Sequence, residues 1–228
     1  MIRPLVLVLT LGVLGFALLL GGAAEGRLDY LPRAQYVPVA DYWPSIRCEA
    51  QGQTWWIPVS SEFEHEWYST QWRAAQEAPL YRAPPGPASY RFTLLPSFDH
   101  PVIVRLDERP DGGLQLTAKQ LSGLGGYSPG RISKMVRRLL SEREAESARN
   151  ALTLALQQRP ASCSLGLDGN RWILEANQSG KYHYVNRFHP DGGPVHEAGR
   201  VLLGLTGWAF NQRYGLEALP PGTEPERP

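Results

Sequence analysis

Lysine, cysteine and net charge are all scarce in this chain, and each shortage excludes something. Among 23 basic residues only Lys119, Lys134 and Lys181 are lysines, and 22 acidic residues nearly cancel the total to +1. A near-neutral chain has no electrostatic footprint for nucleic acid, whose binding rests on neutralising phosphates. Nor does it carry a polybasic patch for anionic lipid. Two cysteines, Cys48 and Cys163, stand 115 positions apart, so no zinc-ligand spacing is present. Internal repeats and strand–helix–strand alternation are also missing, which argues against solenoids and doubly wound folds.

What the chain does have is a marked N-terminus. Arg3 is followed by Leu5 to Leu20 without a charged residue, and Gly21-Gly22-Ala23-Ala24 then offers small residues for a cut before Glu25. A positive start, an apolar core and a small-residue exit are the parts of an export signal. Kept uncut, residues 1–24 are about long enough to anchor in a bilayer core of roughly 30 Å. Either way Arg3 holds the N-terminus inside and sends the rest outward. The expected address is periplasmic or secreted, or tethered to the inner membrane by an uncut N-terminal helix. Membrane contact is expected through residues 1–24 alone. In an oxidising compartment Cys48 and Cys163 form a candidate disulfide, worth roughly 4–5 kcal/mol for so long a loop in the chain-entropy picture. Two separate small hydrophobes are the other account of them.

Four segments are expected: 1–24, a lead-in over 25–60, a domain over 61–216 and a disordered tail over 217–228. The lead-in holds Pro32, Pro38, Pro44 and Pro58 among six tyrosines and tryptophans. Proline at that density forbids long helices, and the aromatics argue for an extended strap lying on the domain. Ser61-Glu62-Phe63-Glu64 and Ser141-Glu142-Arg143-Glu144 are capping boxes, opening helices to about Ala78 and Arg159. Strands are expected at 89–95, 101–106 and 114–120. Residues 131–140 fit a strand or a helix, and the strand is preferred. Ser179-Gly180 suits a two-residue type I′ turn, pairing 171–178 with 181–188 so that partner numbers sum to 359. A further helix is expected over 194–208. Clustered strands punctuated by helices predict an α+β domain with an antiparallel sheet and flanking helices.

On the hairpin, Trp172, Leu174, Ala176 and Val185 are expected on the core face, with Arg187 over Trp172 and His183 opposite Ala176. Glu175, Tyr182, Tyr184 and Phe188 are candidates for a binding surface, because aromatics are enriched where proteins meet. His183 completes that set. The alternative is that the capped helices or the strap cover the same surface; burial decides between the two. Motifs for catalysis are weak. Gly126-Tyr127-Ser128-Pro129-Gly130 matches the nucleophile-elbow pattern, but Pro129 lacks the amide that such a site uses as oxyanion donor. Asp99-His100 are neighbours that usually diverge, and His183, His189 and His196 are spread over a strand, its end and a helix, too far apart for one ion. No metal and no cofactor are expected.

Tyr90-Arg91-Phe92, His100-Pro101-Val102-Ile103-Val104-Arg105, Gly125 to Gly130, Gly166-Leu167-Asp168-Gly169 with Trp172-Ile173-Leu174-Glu175, and Gly180-Lys181-Tyr182-His183 follow one another in that order. In these motifs the chain resembles a family of uncharacterised exported proteins of proteobacteria over roughly 62–206. The resemblance implies a bacterial, envelope-side protein and brings no activity or site residues with it. The expected function is therefore a non-catalytic domain that binds another envelope protein, as inhibitor, immunity factor or assembly accessory. A small hydrolase acting on envelope material through Glu175 or a histidine is the second expectation, and a membrane-tethered structural protein the third.

Overall fold

A computed structural model describes residues 30–31, 45–164, 166 and 168–210. Residues 1–24 and 217–228 lie outside the described residues, as does most of 25–44. Among the described residues eight strands and three α-helices follow in chain order: β1 (Ser45–Ala50), β2 (Gln53–Pro58), α1 (Glu62–Ala74), β3 (Ser89–Pro96), β4 (Val102–Glu108), β5 (Leu114–Leu121), β6 (Ile132–Leu139), α2 (Glu142–Leu156), β7 (Asn170–Gln178), β8 (Lys181–Phe188) and α3 (Pro194–Gly204). A short 3₁₀ turn covers Leu80–Arg82. The protein is an α+β domain, and 131–140 contributes a strand. Among the described residues no helix is long and apolar enough to cross a membrane.

The main sheet has six antiparallel strands in the order β6-β5-β4-β3-β7-β8. The chain meanders outward from β3 to β6, returns through α2, and adds β7 to the free side of β3. β7 and β8 pair with Trp172 opposite Arg187, Leu174 opposite Val185 and Ala176 opposite His183. Their turn is built on positive φ at Ser179 and Gly180, the backbone that matches the strands' twist.

Both faces of the sheet are covered. On one, Phe92, Leu94, Val104, Leu116, Trp172 and Leu174 pack under α2 and α3. Small residues at Ala145, Ala148 and Ala155 bring α2 close. The other face is covered by α1 and the β1–β2 hairpin, where Tyr68, Trp72, Ile46 and Cys48 meet Leu95, Ile103, Ile173 and Tyr184. Two covered faces explain why β3, β7 and the start of β4 carry buried residues at successive positions, whereas β5 alternates and the edge strand β6 is mostly exposed.

Three expectations need correction. The lead-in is not wholly irregular, since 45–58 is an antiparallel hairpin turning at Gln51 and Gly52, both at positive φ. Its prolines do not interrupt it: Pro44 precedes the first strand and Pro58 ends the second. Earlier in that segment, Tyr30 and Leu31 are buried, with the Tyr30 ring 5.9 Å from Trp72. Helix α1 stops at Ala74 rather than Ala78, because Gln76 turns left-handed and the amides of Gln76 and Glu77 bond back to Arg73 and Trp72, a Schellman ending. Trp172 is stacked by His196, ring centres 5.1 Å apart, while Arg187 donates to the Asn186 carbonyl at 2.8 Å. Cys48 and Cys163 are joined in a disulfide, Cα atoms 5.6 Å apart, which ties the β1–β2 hairpin to the loop before β7.

Candidate functional site

The residues singled out on the hairpin divide by depth. Glu175 is fully buried. Directly opposite it on β3 stands Arg91, also fully buried, whose Nε and Nη2 donate to the two carboxylate oxygens at 2.7 and 2.8 Å. The remaining amino group donates to the Ala78 carbonyl at 2.9 Å, and the guanidinium lies 4.3 Å over the Trp72 ring. Burial alone would lower the Arg91 pKa, but the Glu175 carboxylate outweighs it and raises the value above that of an ordinary arginine. Tyr182 donates to Glu175 Oε1 at 2.9 Å and is half-buried. Tyr184 is buried beneath α1 and the β1–β2 hairpin. His183 is half-buried on the face toward α2 and α3, opposite Ala176.

A second set of charges continues the network. Glu77 is buried between Lys119 at 2.6 Å and Arg105 at 3.4 Å, and it lies 3.9 Å from Arg91. Trp72 donates to Thr93 at 2.8 Å and Tyr30 to the Glu77 carbonyl at 2.8 Å. The buried charges of this network are thus paired, as buried charges must be. Glu175 offers no oxygen to a partner outside the fold.

The weak motifs are also occupied structurally. His100 Nδ1 is 2.8 Å from the Gly123 carbonyl, and Asp99 accepts from the His100 amide at 2.8 Å. His189 Nδ1 is 2.8 Å from Asn170 Oδ1, and His196 is buried against Trp172. Ser128 is exposed on the β5–β6 loop, which docks on the β3–β4 turn through amides of Gly125 and Gly126. A Cβ at Gly125 would come within 2.4 Å of the Pro96 carbonyl, so this run is glycine-rich for close packing. Among the described residues no group of three metal-ligating side chains converges.

Phe188 leads to a different place. Together with Phe63, Trp67, Arg171, Asn170 and Asn186 it lines a cleft of about 410 Å³, within the usual size of ligand sites. The first turns of α1, the end of β3, the loop before β7, the start of β7 and the end of β8 converge there. Phe63 is 73% exposed and stacks obliquely on Trp67 at 5.7 Å, forming one rim. Phe188 forms the other, with the Arg171 guanidinium 5.0 Å above its ring.

Glu64 is the cleft's single carboxylate. It accepts from the Ser61 amide at 2.9 Å, the Ser61 hydroxyl at 3.2 Å and the Tyr68 hydroxyl at 3.0 Å. Burial, with Glu64 beside it, pushes the Tyr68 phenol well above its ordinary pKa. Among the described residues no imidazole and no second acid lines the cleft. Phe188 stands out in the sequence and the others do not, because Phe63 and Trp67 recur at a helical spacing common on a core face and Arg171 falls in an expected strand. No protein-family model matches the chain, and no curated protein is similar to it.

Proposed function

We propose that the chain is an exported, envelope-side binding domain without catalytic machinery of its own, and that it engages another envelope protein through the cleft between α1 and the ends of β7 and β8. The observation that carries this reading is the cleft's composition. An exposed aromatic rim at Phe63 and a half-buried one at Phe188, over a mainly apolar lining with a few polar side chains, resemble the anchor pockets of protein interfaces. General acid–base chemistry needs a proton-carrying group free to reach a substrate, and Glu64 is held by the helix cap and Tyr68. The N-terminal signal pattern, a disulfide of the kind that persists in oxidising compartments, and the resemblance to exported proteobacterial proteins support the address. A role as inhibitor, immunity factor or assembly accessory fits a domain that binds and does not turn over.

Affinity capture from periplasmic extract tests the proposal. Wild type is compared with Phe63→Asp on the cleft rim and Leu154→Asp, exposed on α2 across the sheet. A partner retained by wild type and Leu154→Asp but lost with Phe63→Asp is expected. Identical partner lists from all three would overturn it.

A further inference from the structure

Arg171 is unusual among the described arginines of the core layers. Its side chain is only 15% exposed, it lines the cleft, and its guanidinium makes no hydrogen bond among the described residues. Its polar contact is a 3.7 Å approach to Glu64, longer than a hydrogen bond, and its other neighbour is the Phe188 ring. Arg91 shows what this fold does with an arginine meant for structure, spending its donors on Glu175 and Ala78. Glu64 gives Arg171 an ion pair at 3.7 Å, while its oxygens take their hydrogen bonds from the Ser61 amide, the Ser61 hydroxyl and Tyr68, so the guanidinium keeps its donors. Asn186 is 4% exposed, lines the cleft, and its Oδ1 accepts no hydrogen bond among the described residues.

We infer that the cleft recognises the C-terminal carboxylate of a peptide chain whose last residue is aromatic or bulky and apolar. Arg171 supplies the planar donor fork that fits a carboxylate. Phe63, Trp67 and Phe188 flank the space that a terminal side chain enters. Asn186, opposite Ile173 and two positions along the hairpin from the Arg171–Phe188 pair, adds to the cleft wall an acceptor without a partner among the described residues. This rests on the cleft being the binding site and goes further in naming the chemistry of what binds.

The test uses the mature chain with its disulfide intact and labelled peptides read by fluorescence polarisation. An acetylated hexapeptide ending in phenylalanine with a free carboxylate is compared with its C-terminal amide and with 3-phenylpropionate. The free-acid peptide is expected to bind at least about tenfold tighter than the amide, the usual weight of a hydrogen bond to a charged group. Arg171→Gln should abolish that preference, and Arg171→Lys should keep part of it. Because the acid–amide comparison is made on wild type, it stands even if a variant fails to fold. Equal affinity for acid and amide, or an unchanged preference in folded Arg171→Gln, would overturn the inference. Binding of 3-phenylpropionate as tight as the peptide would overturn the peptide assignment in favour of a free acid. Loss of the acid preference with the Phe63-dependent partner retained would sink this inference alone, whereas acid-selective binding with no Phe63-dependent partner would sink the proposed function.

Discussion

Glu175→Ala is the perturbation that separates a structural role for the hairpin's polar face from a contact role. The substitution removes the two carboxylate acceptors of Arg91 and leaves its charge fully buried, with one bond to the Ala78 carbonyl and a 3.9 Å approach to Glu77. Removing one partner of a buried ion pair costs about 3–5 kcal/mol, because the survivor stays uncompensated. Replacing both, as in Arg91→Met with Glu175→Leu, removes the two charges together. Glu77 then still has Lys119 at 2.6 Å and Arg105 at 3.4 Å, so the double variant should fall within about 2 kcal/mol of wild type. The assay is urea unfolding followed by tryptophan fluorescence, with wild type, Glu175→Ala, Glu175→Leu, Arg91→Met and the double variant compared at equal slope. A cost below about 1 kcal/mol for Glu175→Ala, or a double variant worse than either single one, would refute the buried-pair account.

Three other perturbations follow from the same structure. Opening the Cys48–Cys163 bridge, by a dithiol reductant or by serine at both positions, should cost roughly 4–5 kcal/mol for a 115-residue separation, seen as a lower midpoint in thermal unfolding; an unchanged midpoint would contradict it. Glu144, hydrogen-bonded to Arg138 and to the Ser141 cap, is held down to about 2 from 4.5. Its contribution is therefore complete above pH 4.5 and is lost as pH falls toward 2. Solvent screening of this partly exposed pair limits it to about 1 kcal/mol, so Glu144→Gln should flatten the stability–pH curve between those values and leave neutral-pH stability only slightly lower. Gly199→Ala should cost about 1–3 kcal/mol by overpacking, because a Cβ there would meet the Trp172 ring at 2.2 Å; a calorimetric shift near zero would show that α3 can move aside.

Local chemistry made much of the fold legible. Ser179-Gly180 fixed the β7–β8 register residue for residue, since a two-residue primed turn leaves one pairing. Ser61 and Ser141 announced two helix starts through their capping boxes. What could not be read is how far apart in sequence the polar residues find partners. Glu175, Asn177 and Asn186 find their partners in Arg91, the Leu80 carbonyl and Tyr68, and no spacing rule connects positions 84 to 118 residues apart. The β1–β2 hairpin was hidden by its flanking prolines, although Gln51-Gly52 carried the turn signal. The cleft was out of reach for a similar reason. It exists only where five separate segments meet, and Phe63, a routine face residue of a helix by pattern, becomes its rim once α1 is laid across the sheet.

A photo-reactive residue placed at 63 in the exported protein, irradiated in cells and compared with the same residue at 154, tests whether the cleft is where this domain meets its partner. The account predicts a discrete higher-mass adduct from position 63 and none from 154. Adducts of equal yield from both positions, or from 154 alone, would contradict it.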